Sequence, residues 1–193
     1  YRTIIDKSLA AAKAQGSSST WTINNHDQMR PATKYGLLPA VDRLRWKNSG
    51  GTTHPLDEVT GLNSALAASM LIMALPGCTY IYQGEELALP EVPDLPESEL
   101  ADPIWKRTSG KEKGRDGCRV PIPWTVSDKG AHGFSTNLSL GREDSWLPEP
   151  TWWGNYAAEK QENDSNSTLN MYRRALEVRK GLPMLGDGTI TWI

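Results

Sequence analysis

Cysteine is nearly absent from this chain of 193 residues: Cys78 and Cys118 are the only two, too few for a disulfide framework. Reduced thiols in a cytoplasmic protein are the expectation that follows. No block of lysine and arginine occurs and the net charge is −2, which argues against a nucleic-acid partner. No apolar run approaches the roughly 18 residues that a membrane span needs, so no membrane partner is expected. His54 and His132 lie in loop-like sequence without ligand spacing. No metal-binding cluster, phosphate-cradling glycine loop or GxSxG elbow is found, and neither metal nor cofactor is expected. An initiating methionine is also lacking. The chain opens at Tyr1 and stops at Ile193 inside the β-like run Thr189-Ile190-Thr191-Trp192-Ile193, and so reads as a segment of a longer protein.

Against one phenylalanine stand eight tryptophans. Tryptophan offers a flat apolar face and one N–H donor, which suits sugar rings as well as cores. The periodicity of residues 2–14 predicts an amphipathic helix with Ile5, Leu9 and Ala12 on one face, closed near Gly16. Residues 19–24 read as a strand and 28–60 mostly as loop. A helix over 62–75, apolar nearly all round, is expected to be buried, with Met70 and Met73 in the core. Pro76-Gly77 stops it, and 79–83 read as a second strand. Residues 87–166 carry little helix or strand signal, and a stretch of that length is often a functional surface. A helix returns over 167–180 with Ser167 as its N-cap, and 186–193 begin a β element. This order fits successive α/β units.

Four polar residues, Asn24-Asn25-His26-Asp27, follow the first strand-like run. An Asp at a strand's end can stabilise a cationic transition state, and a neutral His can donate a hydrogen bond to a hydroxyl. The competing reading is a loop-capping Asx-turn beside a surface histidine. Glu85 and Glu86 end the second strand. They suit a substrate-orienting pair, or else a solvated helix start favoured by the dipole. Arg115 and Arg119 flank a turn. Their fixed donors suit vicinal hydroxyls or a carboxylate, and a loop held by an Arg–Asp pair is the alternative. Cys118 between them reads as a small packed side chain before a reactive thiol. Trp146, Trp152 and Trp153 are candidate stacking platforms, with packing against the core the stronger role for most.

Four segments, in this order, resemble the α-amylase family, glycoside hydrolase family 13, and within it the bacterial α-glucosidase and oligo-1,6-glucosidase group. They are Asn24-Asn25-His26-Asp27-Gln28-Met29-Arg30 with Tyr35-Gly36; Leu75-Pro76-Gly77 through Tyr80-Ile81-Tyr82-Gln83-Gly84-Glu85-Glu86-Leu87; Gly114-Arg115-Asp116-Gly117-Cys118-Arg119-Val120-Pro121-Ile122-Pro123-Trp124; and Ser145-Trp146-Leu147-Pro148. The resemblance implies an α/β fold, the C-terminal portion of a (β/α)8 TIM barrel over residues 1–185, with 186–193 starting a C-terminal β domain. Strands seven and eight would be 19–27 and 79–84. Asp27 inherits the role of the family's transition-state-stabilising Asp. His26 inherits hydrogen bonding to the same sugar. Arg115, with Arg119 as fallback, would hold the non-reducing end, and Arg30 and Glu85 would join them in binding an oligosaccharide or maltose-like substrate.

The family's nucleophile Asp and acid/base Glu match nothing in this chain. Retaining hydrolysis needs two carboxyl groups roughly 5–5.5 Å apart across the bond, so the chain alone is expected to be inactive. The parent reads as a retaining α-glucosidase. A transglycosylase or sucrose isomerase of the same fold, and a non-catalytic sugar-binding relative, are the alternatives.

Overall fold

A computed structural model describes residues 1–135 and 145–193; residues 136–144 of the long 87–166 stretch lie outside the described residues. Helix α1 (Arg2–Ala14) leads into strand β1 (Thr20–Trp21). Helices α2 (Pro31–Gly36), α3 (Arg43–Asn48) and α4 (Glu58–Ala74) follow, and then strand β2 (Cys78–Thr79). The two strands pair in parallel, Thr20 beside Cys78 and Trp21 beside Thr79. Parallel neighbours need a crossover, and α2–α4 supply it. Among the described residues these are the only strands, and they close no barrel.

The expected helix over 2–14 is present, with Ile5 buried and Leu9 against the cluster of Ile5, Trp21, Ile72 and Leu75. Helix α4 starts earlier than its apolar run, at Glu58, because Asp57 caps it by accepting the Thr60 N–H at 2.9 Å. Its burial is one-sided: Met73 is buried, whereas Met70 is 47% exposed. The core assignment of Met70 is therefore corrected. Ser167 caps α8 (Thr168–Gly181) as expected, accepting the Asn170 N–H. That helix is tied to α4 by Tyr172 Oη donating to Ser69 Oγ at 2.6 Å. Arg179 donates to the carbonyls of Met73 and Leu75, acceptors that the end of α4 leaves open, and to those of Gly77 and Leu185.

Two further expectations change. Residues 87–166 are no bare surface loop. Short helices α5 (Pro103–Arg107), α6 (Lys129–His132) and α7 (Ala158–Glu162), with 3-10 turns at Glu97–Glu99, Asp116–Cys118 and Trp153–Tyr156, wrap a core of their own. It joins Leu87, Leu89, Val92, Leu95, Leu100, Val120, Ile122, Leu147 and Trp153. The Trp153 indole N–H donates to Pro121 O at 2.7 Å, so this ring packs and does not offer a platform. The β element expected over 186–193 is not formed. Met184–Asp187 is a short helix, α9. The tail beyond it folds back on α1, with Ile190 and Trp192 against the Ile5–Trp21 cluster and Trp192 Nε1 donating to Asp6 at 2.7 Å. That apolar contact satisfies the β-branched run without a ladder.

Glu85 is buried in the turn after β2, lining a small void with Ser69, Tyr172 and Ala88. Its Oε1 accepts the Tyr82 N–H at 3.3 Å, while Oε2 has no partner. Burial lifts its pKa to about 7; the Tyr82 N–H and Arg30 oppose the rise and Glu86 adds to it.

Two tests follow from this packing. A Cβ at Gly61 would lie 2.1 Å from the Ala32 carbonyl oxygen where α4 crosses α2. Gly61→Ala, which helix propensity alone favours by about 1 kcal/mol, will instead lower stability by about 1–3 kcal/mol, read from denaturant midpoints. For Glu85, the unfolded carboxyl ionises near 4.5 and the folded one near 7. The folded state thus holds an extra proton between these values, and stability falls as pH rises through that window, by about 3 kcal/mol in all. Glu85→Gln will flatten the decline. At pH 8 it will melt higher than the unmodified protein, and equal Tm profiles would refute the assignment.

Candidate functional site

Beyond strand β1 the chain turns at Asn25 to Asp27. The Asp27 backbone N–H donates to Asn25 Oδ1 at 2.8 Å, an Asx-turn. The Asx-turn of the competing reading is therefore present, and it belongs to the same turn that carries the Asp27 carboxylate. Asn24 is buried, while His26 and Asp27 are exposed.

Asp27 meets two arginines. Arg115 Nη1 lies 2.8 Å from Asp27 Oδ1 and Arg119 Nη2 lies 3.0 Å from the same oxygen. His26 Nε2 is 3.5 Å away, again from Oδ1. The hydrogen bond from Arg115 above all, with the charges of His26 and Arg115 and a bond from Arg119, holds the Asp27 pKa below the usual carboxylate value. It stays an anion at neutral pH. Arg119 Nε also donates to His26 O at 2.8 Å, pinning the loop to the strand end. The sequence placed Asp27, His26 and Arg115 in one site, and the structure brings them together with Arg119.

Asp102 was missed. Its side chain is fully buried and forks onto Arg115, with Nε donating to Oδ2 at 2.6 Å and Nη2 to Oδ1 at 3.3 Å. The expected alternative of a loop held by an Arg–Asp pair is therefore also realised. The pair holds the Asp102 pKa at about 2, with the Ile104 and Arg115 backbone N–H groups helping. The visible signal was Asp102-Pro103, which reads as the opening of a helix. Asp102 is indeed the N-cap of α5, accepting the Ile104 N–H, and that local role masks the long-range one.

Arg30 and Glu85 do not join the cluster, and their expected contact with substrate is corrected. Arg30 is fully buried, with its guanidinium 5.2 Å over the Tyr82 ring and Nη1 donating to Gln83 O at 3.0 Å. Tyr82 Oη in turn donates to Cys118 O at 3.1 Å. Arg30 therefore lies beneath the 115–119 loop, out of reach of a sugar. Glu85 is sealed between the β2 turn and the Ser69–Tyr172 contact. Cys118 is buried, its thiol pushed up to about 12, chiefly by desolvation, so it is a packed and unreactive group. Trp124 and Trp146 are half exposed. No group of His, Cys, Asp and Glu among the described residues is arranged to hold a metal ion.

The family model for the α-amylase catalytic domain matches residues 1–188. A probable α-glucosidase of Rhizobium meliloti (strain 1021) is 36% identical over 173 residues, covering 90% of this chain and 26% of that protein. Trehalose-6-phosphate hydrolase of Bacillus subtilis (strain 168) is 26% identical over 181 residues, covering 86% of this chain and 28% of that protein. Among solved structures, the α-glucosyl transfer enzyme XgtA superposes with a TM-score of 0.67 at 29% identity, covering 94% of this chain and 29% of that one. The chain thus spans about a quarter of the length of the curated relatives it matches. No described helix is long and apolar enough to cross a membrane. With the catalytic-domain model matched over nearly its whole length, the chain belongs to the α-amylase family.

Proposed function

We propose that this chain supplies the transition-state-stabilising side of the active site of a retaining α-glucosidase acting on terminal α-linked glucose of short oligosaccharides. The observation that carries this is the ionised Asp27 in the turn beyond β1, with every described contact of its carboxylate falling on Oδ1. Oδ2 keeps its lone pairs for sugar hydroxyls. As positive charge builds on the sugar ring, a fixed carboxylate stabilises it without reorganising, which is how preorganised electrostatics lowers a barrier. His26 Nε2 lies at the edge of the same group and serves as a second hydroxyl partner. Arg115 and Arg119 hold Asp27 and border the space where the non-reducing sugar sits.

In this reading the strands β1 and β2 are the seventh and eighth of a (β/α)8 barrel, whose catalytic groups gather at the C-terminal strand ends. Residues 1–185 form the barrel portion, and 186–193 lead into a further domain. The nucleophile and acid/base come from outside this sequence, and no cofactor takes part. The two free thiols favour a cytoplasmic setting. Glucosyl transfer, the activity named for XgtA, would use the same Asp27, with an acceptor sugar in place of water.

The full-length protein carrying this segment will hydrolyse p-nitrophenyl-α-glucoside with retention. Asp27→Asn will lower kcat/KM by on the order of 10²–10³ while leaving Tm within a few degrees, because the group is exposed. Asp27 is an anion well below neutral pH, so its titration contributes no step to the rate between pH 5 and 8. An Asp27→Asn variant with unchanged rate would remove Asp27 from the mechanism. Transfer to added maltose in preference to water would move the reading to a transferase.

A further inference from the structure

We propose that Asp102 is a positioning residue of this site, holding the Arg115 guanidinium so that it takes one oxygen of Asp27 and leaves the other open to substrate. The proposal rests on the reading of Asp27 given above. A guanidinium facing a lone carboxylate settles onto both of its oxygens in a parallel fork. Arg115 faces two carboxylates, and Asp102 has the fork: Nε and Nη2 donate to its two oxygens, leaving Nη1 for Asp27 Oδ1.

The asymmetry is built into the backbone. The Asp102 side chain is 0% exposed, against 39% for Arg115 and 46% for Asp27. Its Oδ2 also accepts the Arg115 backbone N–H at 3.0 Å, so the same carboxylate fixes both ends of the arginine. Asp116 Oδ2 accepts the N–H groups of Ala101 and Asp102 at 2.7 and 2.8 Å, anchoring the anchor. At Gly114, where φ is +74°, a Cβ would lie 2.7 Å from the Asp102 Cβ, so the approach of the two loops depends on glycine there. The result is a relay: Asp116 sets residues 101–102, Asp102 sets Arg115, and Arg115 sets Asp27. Without the Asp102 charge, Arg115 is released to pair with both oxygens of Asp27 and to occupy the acceptor a sugar hydroxyl needs.

The experiment uses the full-length protein with p-nitrophenyl-α-glucoside. Asp102→Ser keeps an N-cap acceptor for Ile104 and removes the partner of Arg115; Asp102→Asn is the isosteric second variant should the serine not fold. The expected result is a rise in KM of about tenfold with a smaller change in kcat, the pattern of lost ground-state binding. On an Arg115→Ala background the same Asp102 substitution will add less than about twofold, because coupled residues are not additive. Unchanged KM, or losses that multiply in the double variant, would overturn the proposal and leave Asp102 a loop-builder. Full activity in Asp27→Asn would overturn the reading of Asp27, and this proposal with it. Full activity in the Asp102 variants beside a crippled Asp27→Asn would overturn only the proposal.

Discussion

A buried guanidinium fixes how the strand ends of this molecule meet its long loop. Arg30 is 0% exposed, and a charge taken out of water is costly unless its surroundings replace the lost hydration. The turn after β2 does this with the Gln83 carbonyl and the Tyr82 ring under the cation, while the backbone N–H of Arg30 donates to Glu91 Oε2 at 3.0 Å and ties a further segment to it. Glu91 is itself buried, with burial raising its pKa, and its own N–H donates to Thr33 Oγ1. The residues just after Asp27, the β2 turn and the start of the long segment are thereby locked in one register. Tyr82 extends the lock to Cys118 O, in the loop that carries Arg115 and Arg119. The position of the exposed cluster follows from this buried one.

The parts of the fold legible from sequence were those decided locally. Helices α1 and α8 carry an amphipathic period and α4 a long apolar run, and Ser167 is recognisable because capping acts over three residues. Met70 escaped that logic: periodicity marks an apolar face but not what covers it. The short strands were overextended because β-like composition outlasts the two-residue ladders that form. The run at 189–193 satisfies its apolar residues against α1 instead. The core within 87–166 was invisible since its members, from Leu87 to Trp153, share no period and are gathered by turns.

The site divides in the same way. Asp27, His26 and Arg115 were singled out because motif order marks them, and the structure sets both His26 and Arg115 against Asp27. Arg30 lies three residues from Asp27 in sequence, yet it turns inward where Asp27 turns outward. At a strand's end, neighbours in sequence are not neighbours in exposure. Asp102 could not be found by proximity, since 13 residues and a helix cap separate it from the arginine it orients. A residue that satisfies one obvious local role gives no outward sign of a second.

Two carboxylates at the ends of adjacent strands illustrate what environment does to one chemical group. Asp27 sits in a ring of cationic donors and is held ionised; Glu85 sits in an apolar seam with one N–H donor and has its pKa raised to about 7. Exchanging these environments would defeat both. An Asp27 free to protonate could not stabilise a cationic sugar, and an obligate anion at Glu85 would burden the seam between the β2 turn, α4 and α8. The arginines make the difference, and they reach Asp27 only because the 115–119 loop is braced from below by Arg30 through Tyr82 and from the side by Asp102. The electrostatics around the exposed Asp27 is therefore a property of the buried side chains behind it, and the Asn25-His26-Asp27 motif alone does not set it. A relative that kept the motif but lost either brace would carry the same aspartate without its orientation.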